Sequence, residues 1–143
     1  MDIVPFRPEH LRSLVLQEAQ AWMGPMLKAD YGEYLLRGGP CFTALDGERV
    51  LACSGVLRMW DNRDQAWALM AQDAGRRFVK IFRGMSRFLD LHDTRRIEAT
   101  VDCEFEEGHR LMRMLGFRLE AERMRAYLPD GRDAALYARV RGQ

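Results

Sequence analysis

The stretch Ala66-Trp67-Ala68-Leu69-Met70-Ala71-Gln72-Asp73-Ala74-Gly75-Arg76-Arg77-Phe78 decides the fold. Ala66 to Ala71 is a short apolar run bounded by polar residues, the pattern of a buried strand. From Phe78 onward the period changes. Phe78, Phe82, Met85 and Leu89 recur on one face, Ile81 and Phe88 widen it, and Lys80, Arg83 and Arg87 take the opposite side, which predicts an amphipathic helix. Residues 72–77 between them form a turn with one glycine and two arginines. Such a turn can hold an anion, because a helix N-terminus directs free N–H groups and a positive dipole end outward. A basic turn that is merely solvated fits the same residues, and both readings stand at this point.

Downstream, Arg96 to Val101 (RIEATV) alternates with Ile97, Ala99 and Val101 on one side, a further strand. Strand 66–71, helix and strand 96–101 make a β-α-β passage, whose two strands run parallel. Upstream, CFTAL (41–45) and VLACSGVLRMW (50–60) flank Asp46-Gly47, a hairpin signal, and a polar break over 61–65 leads back into 66–71. Three successive antiparallel strands are expected there. Ile3 to Arg7 is a short strand broken by Pro5. A helix is expected from Pro8 through Leu11, Leu14, Val15, Glu18 and Trp22 to the stop at Gly24-Pro25, and a second over 26–36, ended by Gly38-Gly39-Pro40. Asp102 is the expected N-cap of a further helix whose first turn carries Glu104, Glu106 and Glu107, with Gly116 as its C-terminal cap. Strands 118–128 and 134–141, joined through Pro129–Asp133, close the chain.

The expected order is β-α-α-β-β-β-α-β-α-β-β. It describes an α/β fold with a mixed, mostly antiparallel sheet in a single domain spanning 1–143. The 143 residues, 48% of them hydrophobic, suffice for one core. A formal net charge of +1 gives no global attraction to a polyanion, which argues against nucleic acid as partner. No apolar run reaches the ~18–20 residues a membrane helix needs, and the N-terminus lacks the basic-then-apolar pattern of a signal peptide. Cys41, Cys53 and Cys103 are odd in number and far apart, so neither a disulfide framework nor a metal site is expected, and the cytoplasm is the expected compartment.

This element order and these residues resemble the GCN5-related N-acetyltransferase (GNAT) superfamily over essentially the whole chain. The Leu115-Gly116-Phe117 closing the helix is a familiar feature of those proteins. More narrowly, the stretches 66–78, 95–117 and 126–140 resemble a family of tailed phages and prophages, often labelled acetyltransferase-like, that includes the internal virion protein A group of short-tailed phages. The resemblance implies acetyl-CoA as cofactor, an amine acceptor, and a V-shaped splay between the fourth and fifth strands, where pantetheine pairs with the end of strand 66–71. The superfamily's pyrophosphate turn reads Arg/Gln-x-x-Gly-x-Gly/Ala. Gln72 and Gly75 match it, whereas Arg77 stands where a small residue lets backbone approach phosphate. The cofactor-binding set carried over is Met70, Ala71, Gln72, Gly75, Arg76 and Arg77, with main-chain N–H groups near Met70 and Ala71 polarising the thioester carbonyl. Arg77 either turns outward to clamp phosphate or inward to close the site.

The superfamily's helical asparagine and tyrosine fall here at Phe105 and Met112, neither of which transfers a proton. His109 and Glu98 are the candidate catalytic residues, as a general acid or base and as a base for the amine. Each also has a plain structural reading, as a helix histidine and as the partner of an arginine. Cys103 as nucleophile, and Tyr127 or Tyr137 as phenolic donors, compete in the same way with burial and cross-strand packing. Two functions follow. One is an acyl-CoA-dependent N-acetyltransferase. The other is a non-enzymatic module of the same fold that binds a host or virion protein. The C-terminal hairpin and the Met-rich segment 111–115 offer a homodimer surface to either.

Overall fold

The computed structural model describes residues 1–16, 20–21, 23–24 and 29–142. Its elements are β1 (Asp2–Pro5), a 3-10 segment (Pro8–Ser13), α1 (Ala29–Gly38), β2 (Cys41–Asp46), β3 (Arg49–Trp60), β4 (Arg63–Met70), a 3-10 turn (Ala74–Arg77), α2 (Phe78–Leu91), β5 (Arg96–Asp102), α3 (Glu106–Met114), β6 (Arg118–Met124) and β7 (Ala134–Val140). The seven strands form one mixed sheet in the order β1-β2-β3-β4-β5-β7-β6. β4 and β5 are its parallel pair, as the β-α-β passage requires.

Two compact units divide the chain. The first comprises 1–58 and 66–92. In it β1 and β2 pair antiparallel from Asp2↔Leu45 to Pro5↔Phe42, and β2 pairs with β3 from Cys41↔Gly55 to Asp46↔Arg49. α2 buries Ile81, Met85 and Leu89, an i, i+4, i+8 stripe, while Phe78 and Phe82 stack on each other half-exposed at 6.3 Å. Phe42 packs on Phe88 at 5.4 Å, and Phe6 meets Trp67 edge-on at 5.6 Å.

The helix expected from Pro8 to Trp22 does not form over the described part of that range. Pro8–Ser13 is a 3-10 segment closed by His10 N–H to Arg7 O and Leu14 N–H to Leu11 O. Leu14 is extended, and Leu16 bridges antiparallel to Ala71. Leu11 and Leu14, three apart and both buried, suit a 3-10 turn as well as an α-helix. A strand end with open hydrogen-bonding groups then takes the chain that helical period alone would have coiled. Residues 17–19, 22 and 25 lie outside the described residues, as do 26–28 of the second expected helix, which is helical from Ala29.

The second unit comprises 59–65 and 93–143. β5 pairs with β7 across seven positions, Arg96↔Val140 to Asp102↔Ala134. β4's first residues join it in parallel through Arg63↔Arg96, Asp64↔Ile97 and Gln65↔Glu98. The register ends there, while β4 runs on to Met70 and β5 to Asp102. The expected polar break over 61–65 is therefore only Asp61-Asn62. Arg63–Gln65 lie in strand because the parallel partner takes up their backbone.

α3 closes against β5 at Gly108, where a Cβ would stand 2.7 Å from the Phe105 ring and 2.8 Å from Val101. It begins at Glu106, not at an Asp102 cap. Asp102 is still in β5, and its carboxylate accepts Glu104 N–H and pairs with Arg132. Past α3, Gly116 adopts φ 84°, with Gly116 N–H bonded to Arg113 O and Phe117 N–H to Met112 O. This pair of bonds is a Schellman closure, and the Leu115-Gly116-Phe117 motif exists to make it: glycine supplies the left-handed backbone and Phe117 the buried contact.

Candidate functional site

The backbone of β4 addresses two sides in alternation. Towards β3, Ser54 Oγ donates to Trp67 O at 3.0 Å, and Ala71 N–H donates to Leu51 O at 2.8 Å. Ala68, Met70 and Gln72 address the other side. Ala68 O accepts from Gln20 Nε2 at 2.7 Å, Met70 N–H donates to Gln20 Oε1 at 2.9 Å, and Gln72 N–H donates to Val15 O at 2.8 Å. The Met70 and Ala71 N–H groups expected to polarise a thioester therefore both have acceptors within the protein. The chain itself fills the role assigned to a ligand, through Gln20 on one side and β3 on the other. No sequence period marks Gln20. It is recognisable only once Val15 and Leu16 are seen to run beside Ala71 rather than along a helix.

After β4, Ala74–Arg77 makes one 3-10 turn and Phe78 opens α2. The acid at Asp73 pairs with Arg49, so its charge is compensated. Arg77 reaches sideways to Asp46 Oδ2 at 3.5 Å, onto the β2–β3 hairpin. The guanidinium is thus held on Asp46 rather than standing free over the turn. Arg76 is exposed and has no ion-pair partner among the described residues. A Cβ built on Gly75 meets nothing within 4 Å. The fold therefore does not need glycine at 75, and the space its absent side chain leaves lies open at the amino end of α2. In shape at Gly75 and in charge at Arg76, the turn suits a phosphate group.

In the same unit, Leu11, Leu14, Leu16, Ala21 and Gly24 line an open hollow of about 450 Å³ with Arg12 at its border.

Glu98 and His109 belong to the second unit, and each is tied into a separate hydrogen-bond group. Glu98 is buried, with Oε1 on Arg63 at 2.7 Å and Oε2 on Arg96 at 2.6 Å. The Arg63 hydrogen bond, then that of Arg96, holds its carboxyl below the usual carboxylate range, which makes it a weak base. Arg96 continues the network to Glu120, and Arg63 lies 4.6 Å over the Trp60 ring. His109 Nε2 faces Cys103 O at 3.1 Å, and a carbonyl only accepts, so Nε2 carries a proton. With the ring neutral, Nδ1 accepts from Tyr137 Oη at 2.7 Å. Both ring nitrogens are thus engaged, one by a buried tyrosine. Cys103 Sγ lies 3.6 Å from Glu122 O, and burial pushes its thiol above the ordinary value. Burial lifts Cys53 further, to about 12. Phe105 stands at the N-cap of α3 and Met112 within it. Among the described residues no three metal-ligating side chains cluster, and no helix is long and apolar enough to cross a membrane.

No family model matches the sequence, and no curated protein matches it. Solved structures match the fold over nearly its whole length. A phosphinothricin acetyltransferase of the GNAT superfamily from Sinorhizobium meliloti, in complex with AcCoA, superposes with TM-score 0.70 at 17% identity, covering 97% of this chain and 87% of that one. A GNAT-family acetyltransferase from Bacillus anthracis gives 0.70 at 13% identity, covering 99% and 95%. A spermidine N-acetyltransferase variant from Vibrio cholerae gives 0.66 at 12% identity, covering 98% and 95%. With the element order, the parallel β4–β5 pair and the glycine turn after β4, these likenesses identify the architecture: the chain has the fold of the GNAT superfamily acetyltransferases.

Proposed function

We propose that the chain is an acyl-CoA-dependent N-acetyltransferase that delivers an acetyl group to an amine by direct attack. One observation carries this reading. The turn after β4 keeps an open glycine and an Arg76 with no ion-pair partner among the described residues, and its acid, Asp73, is neutralised by Arg49. Gly75, Arg76 and the first-turn N–H groups of α2 would hold the phosphates, with Gln72 at the head of the turn. Arg77 contributes to the local potential while it stays on Asp46. Acetyl-CoA supplies an activated thioester, so the protein's task is to place an amine and exclude water. Positioning of that kind needs no special acid. Loss of the helical tyrosine at Met112 is compatible with slow turnover. Two similar structures support the chemistry by what they are: one holds AcCoA, and another acts on spermidine, an amine.

The phage-type association rests on the sequence resemblance of 66–78, 95–117 and 126–140, and the single domain, the cytoplasmic location and a homodimer belong to the same proposal. A second reading, a non-enzymatic GNAT-fold module that binds a host or virion protein, is favoured by the internal hydrogen bonds on Met70, Ala71 and Gln72 and by Phe105 and Met112. Calorimetric titration of acetyl-CoA separates the two. Micromolar binding that Gly75→Trp abolishes, with thiol release in the presence of an amine panel, is the expected result. No binding at millimolar ligand leaves the module.

A further inference from the structure

Gln20 supplies both a donor and an acceptor, from one planar carboxamide, to Ala68 O and Met70 N–H. Those two backbone groups, two residues apart on one side of β4, are what an adjoining strand or any secondary-amide chain would pair with. The carboxamide thus offers the donor and acceptor that the N–H and C=O of one residue in a parallel strand would offer. Val15 O continues the same row at Gln72 N–H, and Leu16 bridges to Ala71. From Ala68 to Gln72 the outer edge of β4 is met by the protein's own residues, each contact placed where an amide ligand would make it.

We infer that Gln20 is a self-occluding contact: its side chain holds Ala68 O and Met70 N–H and must leave before an amide-bearing acyl donor can pair there. The inference rests on the acyl-CoA reading. Chemistry suits the task. A side chain leaves by rotating about its own bonds, without unfolding a strand, and Gln20 is only half-buried, so water replaces its partners at once. The contact is satisfied in both states, first by glutamine and then by ligand. It therefore lowers affinity without removing the site, in the way that any competing conformation does.

The test compares acetyl-CoA affinity of the wild type and Gln20→Ala by calorimetry. Removing the carboxamide leaves Ala68 O and Met70 N–H open to ligand. The expected result is binding about tenfold tighter, equivalent to ~1.4 kcal/mol. Unchanged or weaker binding by Gln20→Ala overturns the occlusion while leaving the acyl-CoA reading intact. Absence of binding by both proteins at millimolar ligand overturns both. A measurement on the wild type alone guards against a variant that fails to fold. The Gln20 side-chain NH2 protons should exchange slowly without acetyl-CoA and fast with it. Unchanged exchange at saturating ligand refutes the displacement.

Discussion

Removing the Tyr137 hydroxyl separates a structural His109 from a catalytic one. Tyr137→Phe keeps the ring volume and deletes only the proton that Nδ1 accepts across 2.7 Å. Tyr137 is 3% exposed, so water has little access from its side, whereas His109 is half-buried and recovers part of the lost bond from solvent. A net hydrogen bond contributes about 1 kcal/mol, and an unmet buried acceptor costs about 1–3. The half-buried geometry places Tyr137→Phe near the lower figure, ~1 kcal/mol. His109→Ala loses that bond, the one to Cys103 O at 3.1 Å, and its packing against the Tyr137 ring at 5.7 Å, a total of about 2–3 kcal/mol. In a double-mutant cycle the two changes should couple by ~1 kcal/mol, because they share one bond. Urea unfolding followed by circular dichroism reads all three variants. Any acetyl transfer measured under folded conditions should survive Tyr137→Phe. Full stability in His109→Ala together with abolished transfer would refute the reasoning and make His109 a proton carrier.

Three further expectations follow from the geometry. Gly75→Ala should leave stability unchanged or raise it by roughly 0.4–1 kcal/mol, since its Cβ enters open space and the unfolded chain loses freedom; Gly108→Ala should cost about 1–3 kcal/mol by forcing Phe105 and Val101 apart, and urea midpoints compare them. Stability should fall as pH drops through the usual histidine value of 6.5, because burial, with Arg7 adding to it and Glu9 opposing, holds His10 below that value, and its Nδ1 accepts from Arg7 N–H and faces Thr43 Oγ1 at 2.7 Å. The neutral form is the one the fold favours, so the contribution is full above 6.5 and is lost on acidification; His10→Gln should flatten the dependence of the urea midpoint between pH 7.5 and 5. Cys53, wholly buried and with its thiol raised to about 12, should resist iodoacetamide at pH 8 until urea unfolds the chain, as read by mass spectrometry.

The strands and α2 were legible because their signals are local: alternation at 41–60, a helical stripe from Phe78, and Asp46-Gly47 between strands. The closure at Leu115-Gly116-Phe117 was legible for the same reason, since one glycine dictates it. The segment after Pro8 was not. Its apolar spacing suits either helix type, and the choice is made by a strand edge more than fifty residues away in sequence. Site residues divide along the same line. Gly75 and Arg76 stand in the expected turn because the turn is local. The destinations of Arg77 on Asp46, Asp73 on Arg49 and Glu98 on two arginines depend on neighbours brought by the sheet, and the sequence carries no spacing signal for them.

The row of contacts from Val15 and Gln20 has a bearing on colloidal behaviour as well. Beyond Gln65, the side of β4 opposite β3 would, if left bare as far as Met70, expose a template for another chain's backbone and invite edge-to-edge aggregation. The protein's own amide and carbonyl cover that template before any ligand arrives. Gln20→Ala would uncover it, so the variant with the most open edge should also be the one that scatters light first as its concentration is raised.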